Sequence, residues 1–323
     1  MPKERMKAVV WTRYGPPEVL ELLEVPRPIP KDREVLVKVR AASINSWDWE
    51  IFIARYSLST PKKVKDKYRI LGCDVAGVVE AVGRKATYFK AGDEVFGDMS
   101  RYGFGGFAEY ACANEKAFSL KSRKMPFEEA AAIPQASVLA LQGLRKGKIG
   151  SGNEILVNGA GGGVGTFAIQ LAKRQGADVT AVDKEVKFES MRALGADHVI
   201  DYLKEDFIQN GIAYDLIIDV NSKRSIFDYK RALAKGGRCI LIGGDSGKIF
   251  QALLLGSWLL GSRSAKLLLY HQNRADQDHM RELVDNGTIK PVIDRIFPLE
   301  RTADAFRHFQ SQTFTGKIVI RIA

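Results

Sequence analysis

The residues with the clearest chemical purpose are seven in a row: Gly159, Ala160, Gly161, Gly162, Gly163, Val164 and Gly165. Side chains this small leave the backbone accessible, and N–H groups at the start of a helix are donors suited to a phosphate. Counting back from Gly165 gives Ala160-x-Gly162-x-x-Gly165, the spacing of a dinucleotide fingerprint with alanine in place of its first glycine. Asp183 closes the next apolar run, Val179 to Val182. An acid there accepts hydrogen bonds from ribose hydroxyls and repels a 2′-phosphate, which favours NADH, whereas Lys184 and Lys187 offset its charge. The competing reading of the same glycines is a flexible turn between two core elements.

A fingerprint of this kind works only between a strand and a helix. Ile155-Leu-Val157 has no polar alternation, as expected of a strand covered on both faces, and Val164, Ala168 and Leu171 then recur at helical spacing. Further strands are expected at 178–183, 198–200, 214–220 and 238–242, separated by helices at 187–194, 204–209 and 225–234. Strict alternation of this type specifies a doubly wound parallel sheet. Ahead of it, Phe127 to Ile133 reads as a helix stopped by Pro134, and Ser137 to Arg145 as a second helix. From Met6 to Ala117 the chain is short strands and turns, for example Glu34 to Arg40 with Val35, Val37 and Val39 on one face. The expected fold is therefore α/β. A β-rich domain takes residues 1–125 and 271–323, and a Rossmann dinucleotide-binding domain takes 126–270.

At 323 residues the chain suits two domains, and 46% apolar with 27% charged residues is ordinary globular composition. The formal charge of +11 raises nucleic acid as a partner, but the basic residues are interleaved with acids, as in Lys62 to Lys67, and no reader motif accompanies them. Cys73, Cys112 and Cys239 are distant and odd in number, which points to a reducing cytoplasm and to no disulfide framework. His198, His271, His279 and His308 lack metal-ligand spacing. No signal peptide is visible, and the apolar stretch Phe250 to Leu260 is too short for a bilayer, so it is expected to be a buried helix or a subunit contact.

Gly77-Val-Val-Glu-Ala-Val-Gly83, Ala91-Gly-Asp-Glu-Val-Phe96, the glycine loop and Thr315-Gly-Lys-Ile-Val-Ile320 come in an order that resembles the medium-chain dehydrogenase/reductase superfamily. The resemblance covers nearly the whole chain and is nearest to the zinc-free quinone oxidoreductases, the zeta-crystallin-like branch. It implies a chaperonin-10-like (GroES-like) catalytic domain joined to a nucleotide-binding domain, NADPH or NADH as hydride donor, and a quinone or α,β-unsaturated carbonyl as acceptor, held between the domains. Where zinc-dependent relatives carry Cys, His-Glu and a second Cys, this chain has Asn45, Cys73-Asp74 and Gln135, so no zinc set is expected. Conjugate hydride addition spreads charge into an enolate or phenolate, for which a hydrogen-bond donor suffices.

By the same resemblance Asn45 would donate to the substrate carbonyl, with Trp47 and Trp49 as an apolar wall. Equally, Asn45 is a turn residue and the tryptophans are core. Related reductases carry a Tyr five positions after the Asn, where this chain has Glu50, so Tyr56 is the next polar aromatic. Ser137, Val220, Asn221, Ile242 and Gly243 lie where the family places nicotinamide and ribose. A homodimer is implied, with no nucleic-acid or membrane partner. The alternatives are a metal-free alcohol or aldehyde reductase, or a nucleotide-binding protein with little turnover.

Overall fold

The computed structural model of the protein describes residues 4–53, 69–259 and 261–322. The chain divides into two compact units. One comprises residues up to Gln135 with Gln272–Gln312 and the segment from Lys317; the other comprises Ala136–His271 with Thr313–Gly316.

In the first unit, β1 (Arg5–Trp11), β2 (Leu20–Pro26), β3 (Glu34–Ser43), helix α1 (Ser46–Phe52), β4 (Arg69–Ile70), β5 (Asp74–Val82), β6 (Glu94–Asp98), β7 (Tyr110–Asn114), β8 (Phe118–Leu120) and α2 (Phe127–Ala132) follow in order. α3 (Pro134–Gly147) leads out of it. Pro134 opens this helix instead of merely ending the previous one, since a residue without an N–H is well placed where no helical bond is due. The fully buried Ala130, Ala131 and Ala132 let α2 lie close against β3, β5 and later β16.

The second unit continues with β9 (Glu154–Asn158), α4 (Gly163–Arg174), β10 (Asp178–Asp183), α5 (Phe188–Ala193), β11 (His198–Asp201), β12 (Tyr214–Asp219), α6 (Ile226–Ala232), β13 (Leu233–Leu241), α7 (Ser246–Leu259) and β14 (Ser264–Leu267). All strand pairs are parallel, in the order β11-β10-β9-β12-β13-β14. This is the doubly wound sheet expected. Ile155, Leu156 and Val157 are wholly buried in its centre, and Leu156, Val182, Ile217, Tyr229 and Leu241 form part of one core. The helix expected at 204–209 is instead a series of turns. Asp201, Asp206 and Asn210 each accept the amide two residues on, from Leu203, Ile208 and Ile212, a local bond that competes with a helix.

The chain then returns to the first unit as α8 (Arg274–Asp285), β15 (Ile293–Pro298), α9 (Thr302–Ser311) and β16 (Lys317–Arg321). β16 joins β15 and β3 in a sheet ordered β15-β16-β3-β5-β6-β8, with β7 also on β3; β1, β2 and β4 form a separate small sheet. No helix of the described residues is long and apolar enough to cross a membrane. The stretch expected to be a buried helix or a subunit contact lies in α7, where Phe250 and Leu254 are each 61% exposed.

Candidate functional site

The sheet of the second unit changes direction at β9, whose neighbours β10 and β12 run off to opposite sides, and the glycine turn leaves the carboxyl end of that strand. In doubly wound sheets ligands bind at this point. The amides of Gly159 and Ala160 both donate to the Val182 carbonyl, at 3.0 and 3.1 Å, which fastens the turn to the end of β10. Gly165 allows α4 to close on the turn: a methyl there would sit 2.3 Å from the Gly159 carbonyl oxygen. Gly162 is different. It begins α4 without any side-chain cap, and a methyl on it would meet nothing nearer than the Gly159 oxygen, at 3.4 Å. Gly163, Val164 and Gly165 form the first turn of α4, so their amides start a helix with no capping side chain, as a pyrophosphate requires.

Asp183, expected beside the ribose, is 7% exposed and turned toward the loop. Its Oδ2 accepts the Gly161 N–H at 2.9 Å, its Oδ1 accepts the Lys184 N–H at 2.8 Å, and the buried Lys187 ammonium lies 3.0 Å from Oδ1. Lys187 also stands over the Phe314 ring, 5.4 Å from its centre. The residue is a brace for the glycine turn, with its charge matched inside the protein.

The other expected cofactor residues gather at neighbouring strand ends. A side chain on Gly159 would touch Val220 Cβ at 3.3 Å, so the turn lies beside the end of β12. The Val220 amide bonds to Asn158 O at 3.0 Å, Ile242 N to Asp219 O at 2.8 Å, and Ser222 N to Gly243 O at 2.9 Å. Beneath them Asp219 accepts from Asn158 Nδ2 at 2.8 Å, from Tyr229 Oη at 2.7 Å and from the Asn221 amide at 3.1 Å. Burial pushes this carboxyl up, and the three donors oppose the shift. Thus Val220, Asn221, Ile242 and Gly243 are brought together with the glycine turn. Ser137, on α3, is wholly buried, and its hydroxyl has no hydrogen-bond partner. An uncapped helix start and an open Gly162 fit a dinucleotide.

A second cluster lies in the first unit. Asn45 precedes α1, its amide bonds to Asp48 Oδ2 at 2.9 Å, and Asp48 Oδ1 takes the Gly72 amide at 2.8 Å. The side chain expected to hold a substrate carbonyl is already engaged. Asn45 Nδ2 lies 3.0 Å from Asp74 Oδ2 and 3.2 Å from Cys73 Sγ, which uses both of its hydrogens, and Lys317 Nζ donates to Asn45 Oδ1 at 2.5 Å. The Gln135 amide reaches both Asp74 oxygens, at 3.2 and 3.3 Å, and Lys317 Nζ is 3.5 Å from Asp74 Oδ2. Burial pushes Asp48 up to about 7 and also raises Asp74, where Lys317 acts in the opposite sense and Asp98 adds to the rise. Trp47 is exposed, whereas the half-buried Trp49 stacks on Phe306 of α9 at 6.3 Å and lies tilted against Phe309 at 6.0 Å. Tyr56 and the Lys62–Lys67 run lie outside the described residues.

Sequence reasoning misses Asp48, Asp98 and Lys317. Asp98 ends β6 and Lys317 begins β16, charged residues bordering apolar strands that become informative only once strand neighbours are known, whereas Asp48 sits in the first turn of α1, where an acid is ordinary. Cys73, Asp74 and Asp98 place a sulfur and two carboxylate oxygens within 4.8 Å of one another. Zinc does not fit beside them while Lys317 is there, because the ammonium already stands against Asp74. The Cys73 thiol is also held well above its usual range by burial, then by Asp48, Asp74 and Asp98, whereas zinc binds thiolate.

Residues 31–123 match the family described as alcohol dehydrogenase GroES-like domain, and residues 194–320 the one described as zinc-binding dehydrogenase. The chloroplast envelope quinone oxidoreductase homolog of Arabidopsis thaliana is 33% identical over 326 residues, 98% of each chain. The chain belongs to the medium-chain dehydrogenase/reductase superfamily, in its zinc-free quinone oxidoreductase branch. The 2-methylene-furan-3-one reductase of Solanum lycopersicum is also 33% identical, over 98% of this reductase and 79% of the relative. The solved quinone oxidoreductase from Coxiella burnetii superposes with a TM-score of 0.92 at 28% identity, covering 99% of this chain and 100% of that one.

This medium-chain reductase is accordingly an oxidoreductase of a family that uses NAD(P)H. One expectation is overturned. Relatives are named as chloroplastic or mitochondrial proteins, so the cytoplasmic assignment does not hold. The three cysteines are free, and cysteine usage of this kind does not name a compartment.

Proposed function

We propose that the chain transfers hydride from NADPH, in preference to NADH, to a quinone or α,β-unsaturated carbonyl without a metal ion. The observation that carries the metal-free chemistry is the buried Lys317 ammonium among the groups where metal-dependent relatives hold zinc. An acceptor whose reduced form delocalises its own charge is the substrate class that such a site suits. The bound nicotinamide supplies the hydride. The protein's part is to hold the pyrophosphate on the first turn of α4 and to fix the strand ends Val220–Asn221 and Ile242–Gly243 through the Asp219 network.

The preference for NADPH is supported by the neutral Asp183–Lys187 pair. With its oxygens committed to Gly161, Lys184 and Lys187, Asp183 offers a 2′-phosphate no net repulsion, and Lys184 at the end of β10 adds positive charge. The exposed Phe250 and Leu254 of α7 support a homodimer through residues 250–270, which light scattering tests.

The decisive assay follows nicotinamide absorbance with both cofactors and a panel of quinones, enones, ketones and aldehydes, with and without a chelator. Oxidation of NADPH by quinones or enones, unchanged by chelator, is the expected result. Turnover confined to simple ketones and aldehydes, or abolished by the chelator, would overturn the proposal.

A further inference from the structure

The glycine turn is gripped from two sides. Asp183 takes the Gly161 N–H at 2.9 Å, and the Gly161 carbonyl in turn accepts the Gly316 N–H at 2.8 Å. Gly316 also forms an isolated parallel bridge with Gly162 at the start of α4. The segment Thr313–Gly316 therefore groups with the nucleotide-binding unit, although Gln312 and Lys317 on either side of it group with the first. Gly316 has φ +75°, a left-handed conformation that glycine adopts without strain. Two residues before it, Phe314 is 8% exposed, and the Lys187 ammonium stands 5.4 Å from the centre of its ring. The Lys187 stem lies over Gly161: a methyl on that glycine would come within 2.4 Å of Lys187 Cδ. One lysine thus has its stem on the turn and its ammonium against both a carboxylate, 3.0 Å away, and an aromatic face.

We propose that Phe314 is a positioning residue that sets Lys187 for discrimination between NADPH and NADH, with the Gly316–Gly161 bond holding its segment on the turn. The inference rests on the preference for NADPH proposed above, which the Asp183–Lys187 pair supports. A lysine side chain is long and flexible, and fixing it costs conformational entropy. The bond to Asp183 restrains the ammonium in one direction. The ring restrains it in another, because the negative face of an aromatic ring attracts a cation, more strongly where water is excluded. Lys187 is 4% exposed, so the contact is of the desolvated kind. Without the ring the ammonium samples other rotamers, and a 2′-phosphate must order it again on binding. NADH makes no such demand and loses less. Phe314 acts through Lys187 and takes no part in hydride transfer.

The test is a double-mutant cycle on cofactor affinity in the full chain, read by calorimetric titration with NADPH and with NADH. Its members are wild type, Phe314→Leu, Lys187→Met and the double variant. Phe314→Leu keeps an apolar side chain and removes the ring face. It should lower the NADPH-to-NADH affinity ratio by about two- to thirtyfold, the range that a cation–π contact spans. Phe314→Tyr, which keeps the face, should restore the wild-type ratio. In the Lys187→Met background Phe314→Leu should leave the ratio unchanged, since no ammonium remains to be placed. Equal ratios for wild type and Phe314→Leu would overturn the proposal. So would an effect of Phe314→Leu that is as large without Lys187 as with it, because that marks a structural role. Should leucine not fold at this position, Phe314→Met is read in the same way. If no Lys187 variant folds, the ratio for the Phe314 variant alone decides. The ratio in wild type tests the NADPH preference, and its change tests Phe314, so either can fail without the other.

Discussion

Gly162→Asp separates cofactor binding from folding, because the two effects should have opposite signs. Gly162 starts α4 uncapped, and its added Cβ meets only the Gly159 oxygen, at 3.4 Å, so the side chain fits. Aspartate is a good cap and its charge suits a helix start, worth a few tenths to about 1 kcal/mol of added stability. The same carboxylate meets the cofactor's pyrophosphate. At roughly 6 Å and an effective dielectric near 20 the repulsion is about 3 kcal/mol per phosphate charge, on the order of a hundredfold in affinity or more. Calorimetric titration with NADPH and NADH measures the binding, and thermal melting measures the fold. Gly162→Asn caps without the charge and should keep affinity within about tenfold of wild type. Gly165→Ala should do the reverse of Gly162→Asp. Its methyl would lie 2.3 Å from backbone oxygen, so stability should fall by about 1–3 kcal/mol. A Gly162→Asp protein that melts normally and binds both cofactors as wild type does would refute the assignment of this helix start.

Three further outcomes are expected. Lys187→Met leaves Asp183 as an unmatched buried charge, so NADPH affinity should fall more than NADH affinity and stability by about 3 kcal/mol; an unchanged affinity ratio would remove the pair from cofactor selection. Tyr229→Phe deletes a 2.7 Å donor to Asp219 and should cost about 1–3 kcal/mol in urea unfolding, whereas a loss below roughly 0.5 kcal/mol would mean the network is redundant. Asp48, at about 7, and Asp74 have folded-state values raised above the ordinary carboxylate range. Their contribution to stability is therefore full below about pH 4 and is lost as pH rises through about 7. Melting temperature should fall from about pH 4 to about pH 7 and level off above that, less steeply in Asp74→Asn; equal slopes would show that Asp74 does not titrate there.

The doubly wound sheet was legible because it depends on local patterns: Ile155 to Val157 is apolar without alternation, and Val164, Ala168 and Leu171 keep helical spacing. The glycine turn was legible for the same reason, since its function needs small residues at adjacent positions. The partners of Asp183 are not legible in the sequence, because chain position shows that an acid ends β10 but not which way its side chain turns; Gly161 and Lys187 decide that. The acid cluster was hidden for a different reason. Asp74 and Asp98 become neighbours only through the pairing of β5 with β6, and Lys317 joins them only through β16. Equally, Pro134 looks like a helix stop when its neighbours are read forward and is a helix start in the structure.

The Lys317–Asn45 contact spans 272 positions of chain. During synthesis Asp48, Asp74 and Asp98 emerge long before the residue that offsets them, and the stretch that builds the parallel sheet emerges in between. The first unit therefore cannot reach its final packing early: its acids must stay hydrated or protonated until β16 arrives and inserts between β15 and β3. Contacts of such sequence separation close slowly. A chain cut short before β16 should thus present a folded nucleotide-binding half attached to an unfinished partner, open at the edge of β3 and prone to capture by chaperones or to aggregation.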